Sequence, residues 1–412
     1  MTQLPDTTDV LIIGGGPSGS AAAACLLAQG IETCIVEREA FPRFVIGESL
    51  LPRCMDLLRE ADLLAAVDAR NYLRKDGATF LSGGRRRDFV FQQQHTPGWS
   101  YTYQVPRADF DQTLLRAVEE RGAQVFQRHA VVDVEPGASP RVTVEAPDRS
   151  RHCVRARFII DASGYGRVLP RLLKLDKPSH LPERQALFSW VTRDRREPGI
   201  AAGRTWVCLH PGGAWIWVIP FADGQTSVGV VAGPEFFSNY PTDPSARLRA
   251  ILSQEPNAQR RLGDAPFAFE PRTIRGYSIA VERMFAEGYC LVGNSGEFLD
   301  PVFSSGVTLA LESAVRAGQL VARSLRGERV DFGAQYAAHV AAGIDTFRTY
   351  VDAWYDGTLQ TLMFSDDPPA LAQQQITSVL AGYVWDRSNP FVSDGKRRLN
   401  TLARAIDAGL HL

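Results

Sequence analysis

Two periodicities divide this chain, and the changes from one to the other mark its elements. Val10-Leu11-Ile12-Ile13 is an unbroken aliphatic run, the pattern of a parallel strand buried on both faces. Small residues from Ser20 to Gln29 predict a helix ended by Gly30, and Glu32 to Val36 predicts a second strand closing on Glu37. A helix runs through Met55-Asp56-Leu57-Leu58, with Ser49 placed to cap it, and Leu63 to Ala69 ends that helical region. Tyr72 to Phe80 predicts a strand, Gly83-Gly84 its hairpin turn, and Asp88 to Phe91 the return. The helix Phe110 to Arg121 leads into strands at 122–125, 131–134 and 141–144 and a buried strand at 158–160. From Leu187 to Ala232 strand follows strand, with Asp223-Gly224 as a hairpin turn. Trp215-Ile216-Trp217-Val218-Ile219-Pro220 alternates at period two, so both indoles share one face; plain core is the default for such a face. Tyr289 to Gly293 is a short buried strand, and Val307 to Leu325 a long helix whose charges are Glu312, Arg316 and Arg323. Beyond it the chain is mostly helical, with Phe347, Val351, Trp354 and Tyr355 at packing positions.

Two turns carry chemistry. Gly14-x-Gly16-x-x-Gly19 lies between the first strand and its helix, with the acid Glu37 about 20 residues on, which meets the contextual conditions of a dinucleotide-binding fingerprint. The glycines seat a pyrophosphate on the helix N-terminus, and Glu37 accepts ribose hydroxyls; the fingerprint alone does not separate FAD from NAD. A short acid-and-glycine turn, Asp161 to Gly164, brings backbone near the same cofactor. The second turn is Phe298 to Val307, where Asp300-Pro301 stiffens the chain before a helix opening at Ser304-Ser305-Gly306. Free N–H groups and the positive dipole end attract an anion there, and Gly306 allows close approach; a plain serine cap is the alternative. Lys75, beside a predicted strand, is on local grounds a solvated side chain.

Composition narrows the class. The 412 residues are 45% hydrophobic and 22% charged with net charge -1, an ordinary globular balance that gives nucleic-acid binding no support. Arg85-Arg86-Arg87 is expected as a solvated loop. The six cysteines and seven histidines are scattered without metal spacing, so no metal is expected. Asp6 to Asp9 precede the first apolar run and no stretch approaches a membrane span, which points to the cytoplasm.

Taken together these motifs resemble the flavin-dependent halogenases, within the FAD aromatic monooxygenases. Gly14-x-Gly16-x-x-Gly19 matches the FAD fingerprint, Trp215-x-Trp217-x-Ile219-Pro220 the WxWxIP motif, and Phe298-x-x-Pro301-x-x-Ser304-x-Gly306 the FxxPxxSxG motif. The resemblance implies an α/β fold: a Rossmann-like FAD-binding domain, an interleaved β-sheet substrate domain and a short helical C-terminal region. The expected boundaries are 1–175 for the FAD-binding domain, with inserted strands at 75–105, then 176–285 for the β-rich substrate domain. Residues 286–330 return to the FAD-binding domain with the halide-binding turn, and 331–412 form the helical region.

It also implies that reduced FAD, O2 and chloride or bromide give hypohalous acid, with halide held by Ser305 and Gly306. Lys75 then delivers the oxidant to an aromatic substrate, by hydrogen bond or as a haloamine. Cofactor contacts are expected from Gly14, Gly16, Ser18, Gly19, Glu37, Ser49, Arg107, Val131, Asp161, Asp300 and Val307, and shielding of substrate and flavin from Trp215, Trp217 and Phe303. Phe303 stands where tryptophan halogenases carry a glutamate, which points toward a phenol or pyrrole, and the short C-terminal part toward a carrier-protein-tethered substrate. Asn294 replaces the acid of a Gly-Asp-Ala found in many flavoenzymes. No second GxGxxG follows, so a separate flavin reductase is the expected source of reduced FAD. The competing assignments are an FAD aromatic hydroxylase, a geranylgeranyl-reductase-like enzyme sharing Gly47-Glu48-Ser49, and a non-enzymatic flavin-binding protein.

Overall fold

The computed structural model describes residues 3–366 and 368–409. Its first sheet is built as the aliphatic runs require. Gln124–Gln127, Thr33–Glu37, Thr7–Ile13, Arg151–Asp161 and Tyr289–Leu291 lie side by side in parallel, with Thr33–Glu37 and Tyr289–Leu291 buried throughout. Phe285–Ala286 adds an antiparallel edge, and the hairpin of Ala130–Glu135 and Arg141–Glu145 joins through the long strand Arg151–Asp161. Helix Pro17–Leu27 covers this sheet and packs on helix Ser305–Leu325. Its alanines explain the closeness: a Cβ at Gly318 would lie 2.9 Å from the Cys25 Cβ and 3.0 Å from the Ala22 carbonyl oxygen. Small side chains let two backbones approach and bury nearly all of the shorter helix.

The second sheet runs Arg272–Arg275, Gln185–Thr192, Gln225–Ala232, Trp215–Pro220, Thr205–Leu209, Gly77–Ser82, Arg85–Val90. It combines the predicted central strands with the early hairpin at 77–90, so a segment far back in sequence completes it through the parallel pairing of Gly77–Ser82 with Thr205–Leu209. Helices Pro244–Gln254 and Pro256–Leu262 pack on its outer face. After Leu325 come Ala338–Tyr355, Thr358–Met363, Ala370–Leu380 and Gly395–Asp407, with Phe347, Val351 and Trp354 in the main core. The mixed α/β class expected from the sequence is the class observed.

Three local expectations change. Arg85-Arg86-Arg87 is not a loop but opens strand Arg85–Val90, paired with Phe80 to Ser82. The single strand expected over 72–80 is broken at Asp76: Leu73–Lys75 pairs with Thr102–Gln104, while Gly77–Ser82 enters the large sheet. Asp76 is buried and ion-paired with Arg204, and a Cβ at Gly77 would strike the Phe89 carbonyl oxygen at 2.2 Å. A buried charge pair and a tight crossing fix the break. Ser49 is not the helix cap: helix Pro52–Glu60 begins from Leu51 with no side-chain cap, and the Ser49 hydroxyl is engaged elsewhere. Among the described residues no helix is long and apolar enough to cross a membrane, and no group of three or more His, Cys, Asp or Glu side chains is arranged to hold a metal ion.

Candidate active site

A cavity of about 560 Å³ lies between the two sheets. One end is the turn after strand Thr7–Ile13. Gly14 has φ 101° and a Cβ there would sit 2.6 Å from the Ala162 carbonyl oxygen, while a Cβ at Gly19 would be 1.9 Å from the Gly14 carbonyl oxygen. These two glycines close the turn against the protein. Gly16 instead faces the cavity, its nearest heavy-atom neighbour being the Arg43 Nη2 at 3.3 Å from a built Cβ. Helix Pro17–Leu27 starts here without a side-chain cap, so its first amides stay available to a phosphate. Ser18 and Glu37 line the same end. Glu37 also holds the turn: Oε2 accepts the Gly15 N–H and Oε1 the Glu39 N–H, each at 2.8 Å.

The wall between the two ends is basic. Arg107, buried, donates through Nε and Nη2 to the two carboxylate oxygens of Asp111 at 2.8 and 3.1 Å, and through Nη1 to the carbonyls of Ile46 and Gly47. Arg43 donates to the same Asp111 at 2.9 Å. Both arginines line the cavity, so the loop 43–49 is tied down along its length by charge.

The far end is the inner face of the second sheet. Trp215 and Trp217 both line it, ring centroids 6.0 Å apart, as the period-two pattern requires. The Trp217 indole N–H donates to the Ser227 Oγ at 3.0 Å, and the Trp215 N–H to the Tyr355 hydroxyl at 3.1 Å. That hydroxyl donates to Asp300 Oδ2 at 2.8 Å. Burial raises the Asp300 carboxyl to about 6 even though the Tyr355 and Val302 donors work to lower it. Asp300, expected as a cofactor contact, does not itself line the cavity, whereas Glu48 does. Its Oε1 accepts the Trp190 indole N–H at 2.7 Å, its Oε2 has no hydrogen-bond partner, and burial raises it to about 7. The Ser227 hydroxyl is near enough to lower that value somewhat without reaching hydrogen-bond geometry.

The cavity also touches the start of helix Ser305–Leu325 through Ser304, Gly306 and Val307. Ser304 sits in the left-handed region at φ 56° and makes no side-chain cap, so it is not the serine cap of the bland alternative. The helix therefore begins with free amides next to the cavity.

Several expected residues lie off it. Lys75 is 2% exposed and does not line the cavity; its Nζ donates to Ser49 Oγ and to the Leu50 carbonyl, both at 2.8 Å. Burial lowers its ammonium to about 7. Phe303 is packed among Tyr350 and Trp354. Ser305 is buried at the first helical position. Asp161 spends both oxygens on the amides of Ser163 and Leu169. Val131 stands half-buried at a bulge in its hairpin. Asn294 does line the cavity. The sequence did not single out Arg43, Asp111, Thr205 or Tyr355. The first three were visible as polar residues inside apolar stretches, and Tyr355 only as a packing position.

The donor set fits FAD. Glycine turn, uncapped helix and acid suit the dinucleotide, and a continuous cavity reaching an aromatic sheet face suits a flavin ring. The family profile of the FAD binding domain matches residues 7–338. The flavin-dependent halogenase armH2 of Armillaria mellea is 30% identical over 353 residues, covering 79% of this chain and 68% of its own. The 1H-pyrrole-2-carbonyl-[peptidyl-carrier protein] chlorinase of Pseudomonas fluorescens is 28% identical over 423 residues, covering 95% and 92%. The tryptophan 2-halogenase of Chondromyces crocatus is 32% identical over 336 residues, covering 79% and 63%. A solved flavoprotein/dehydrogenase from Cytophaga hutchinsonii superposes with a TM-score of 0.95 at 45% identity, covering 98% and 99%. The protein belongs to the flavin-dependent halogenases, FAD-dependent oxidoreductases built on the FAD binding domain.

Proposed function

We propose that this enzyme halogenates an electron-rich aromatic ring, a phenol or pyrrole carried on a carrier protein, using chloride or bromide. The observation that carries this is the single cavity joining the dinucleotide cradle, the uncapped start of helix Ser305–Leu325 and the Trp215–Trp217 face. Bound and reduced, FAD would supply the two electrons that bring O2 to the peroxide level, the oxidation state that can convert halide to hypohalous acid. The chain's own residues do the rest. Gly16, Ser18 and Glu37 seat the cofactor, while Arg43 and Arg107 neutralise its negative end of the cavity. The amides of Ser305 and Gly306 hold halide at the dipole end. Trp215 and Trp217 keep the far wall dry, and Lys75 directs the oxidant to one ring carbon. The sheet over 176–285 is the substrate side in this account, and 286–330 the return to the cofactor side.

Phe303 in place of an acid supports a substrate that needs no deprotonation help, and the near full-length similarity to a pyrrole-carrier chlorinase supports the tethered form. A separate flavin reductase supplies reduced FAD. The test is a panel of free phenols, free pyrroles, tryptophan and carrier-bound aryl groups, each with chloride and with bromide, read by product mass. Halogenated phenol or pyrrole without halogenated tryptophan is the expected result. Halogenated tryptophan as the main product contradicts it.

A second reading is a flavin dehydrogenase or reductase acting without halide. It is favoured by the likeness to the Cytophaga flavoprotein/dehydrogenase and by the burial of Lys75 away from the cavity. It predicts substrate-dependent flavin turnover with no halogen in any product.

A further inference from the structure

The halogenase reading leaves a physical problem. The side chain meant to act on the oxidant has no face on the cavity. Lys75 is reached only through its hydrogen-bond partner Ser49, whose wall position follows from local pairing. Strand Leu73–Lys75 pairs with Thr102–Gln104, and Ser49 bridges to Gln104 on the other side of that strand. Residue 203 brings in the last member. A Cβ at Gly203 would lie 1.8 Å from the Arg74 carbonyl oxygen, so the loop before Thr205 rests directly on the lysine's strand. Thr205 Oγ1 then stands 2.9 Å from Ser49 Oγ, and both residues line the cavity.

Counting hydrogens leaves one of them for the cavity. The Gln104 Nε2 donates to the Gly203 carbonyl at 2.9 Å and to Thr205 Oγ1 at 2.8 Å. The carbonyl fixes which end of that amide faces inward, since an oxygen there would oppose an oxygen. Thr205 therefore accepts from Gln104, and Ser49 accepts from Lys75. The two hydroxyls hold two hydrogens. One closes the contact between them, and the other is left for the cavity that both residues line.

We propose that Ser49 and Thr205 form a hydroxyl relay through which buried Lys75 acts on a group in the cavity; this rests on the halogenase reading of the site. As the ring carbon takes the halogen, the C–halogen bond forms and the halogen–oxygen bond of hypohalous acid breaks. The oxygen leaves as hydroxide and receives the relay's free hydrogen, giving water. Lys75 replaces that hydrogen through Ser49. The neutral amine then takes back, by the same route, the proton lost from the ring carbon as aromaticity returns. Ring C–H plus hypohalous acid thus becomes C–halogen plus water, with the lysine restored. An ammonium lowered to about 7 by burial is suited to both transfers near neutral pH.

The test compares Ser49→Ala and Thr205→Val with Ser49→Thr and Thr205→Ser, in full-length FAD-loaded protein given reduced FAD, O2, bromide and a phenol or pyrrole on its carrier protein. Cofactor retained through gel filtration reports that each variant is folded. Loss of the hydroxyl should lower brominated product by about a hundredfold, and the hydroxyl-keeping changes should restore it. Product within threefold of the unmutated chain in Ser49→Ala or Thr205→Val overturns the relay alone. Should those two lose FAD, failure of Ser49→Thr and Thr205→Ser to brominate overturns it instead. No brominated product from the unmutated chain overturns the halogenase reading and the relay with it.

Discussion

The indole of Trp217 lies over the bare Cα of Gly229, its neighbour in register on strand Gln225–Ala232; a Cβ at Gly229 would sit 2.1 Å from the ring. Backbone cannot yield by that much inside a sheet, so the ring must. Gly229→Ala should rotate Trp217 away from Ser227, break its 3.0 Å hydrogen bond and narrow the far end of the cavity. The expected outcome is a shifted tryptophan fluorescence spectrum and a tenfold or larger loss of product, with FAD still retained. Unchanged fluorescence would show that the sheet opens instead.

The two kinds of glycine in the fingerprint should separate. Gly16→Val projects into the cavity, where only Arg43 and Asp111 are near, so the protein should fold but lose FAD on gel filtration. Gly19→Val drives a side chain into the Gly14 carbonyl oxygen at 1.9 Å and should destabilise the apoprotein itself, lowering its Tm by several degrees.

Glu48 gives a pH dependence with a definite sign. Its carboxyl is raised from the usual 4.5 to about 7, so the folded state holds the proton more tightly than the unfolded state. Its contribution is fully present below about 4.5 and is lost as pH rises through about 7. The groups facing it are Trp190, Ser227 and Arg107, and Asp300, raised to about 6, titrates in both proteins and cancels in the comparison. Glu48→Gln should flatten the decline in stability across that window and be the more stable protein at pH 8, by on the order of 3 kcal/mol at most. Urea midpoints for both proteins across pH 4 to 8 check this, and parallel curves would contradict it.

How much of this was legible in the sequence depends on distance along the chain. The glycine fingerprint, its acid and the alternating Trp215–Trp217 strand are local patterns, and period and turn chemistry determine them. The seven-stranded sheet was only half legible, because strand Gly77–Ser82 finds its partner at Thr205–Leu209, more than a hundred residues on. Ser49 looked like a cap because local rules reward a serine before a helix; its hydroxyl went instead to Lys75 and Thr205, which a one-dimensional pattern cannot bring together. The burial of Lys75 was likewise invisible, since a strand position does not reveal which sheet covers it.

Replacing Lys75 separates its chemical role from a structural one. Lys75→Met fills the same buried space without a charge to desolvate, so the variant should be at least as stable as the parent. It should consume reduced FAD and O2 near the normal rate while halogenated product falls about a hundredfold or more. Lys75→Arg should not restore product, because a guanidinium stays charged and cannot pass a proton. Product near the parent level in Lys75→Met would remove this lysine from the chemistry and favour the halide-independent reading.

The most direct measurement supplies the FAD-loaded enzyme with reduced FAD, O2 and a pyrrole or phenol on its carrier protein, first with bromide and then without, and records intact product masses. The account predicts a product carrying the paired bromine isotope signature, present only with bromide. Turnover of reduced FAD with an oxygenated or dehydrogenated product, the same with and without halide, would contradict it.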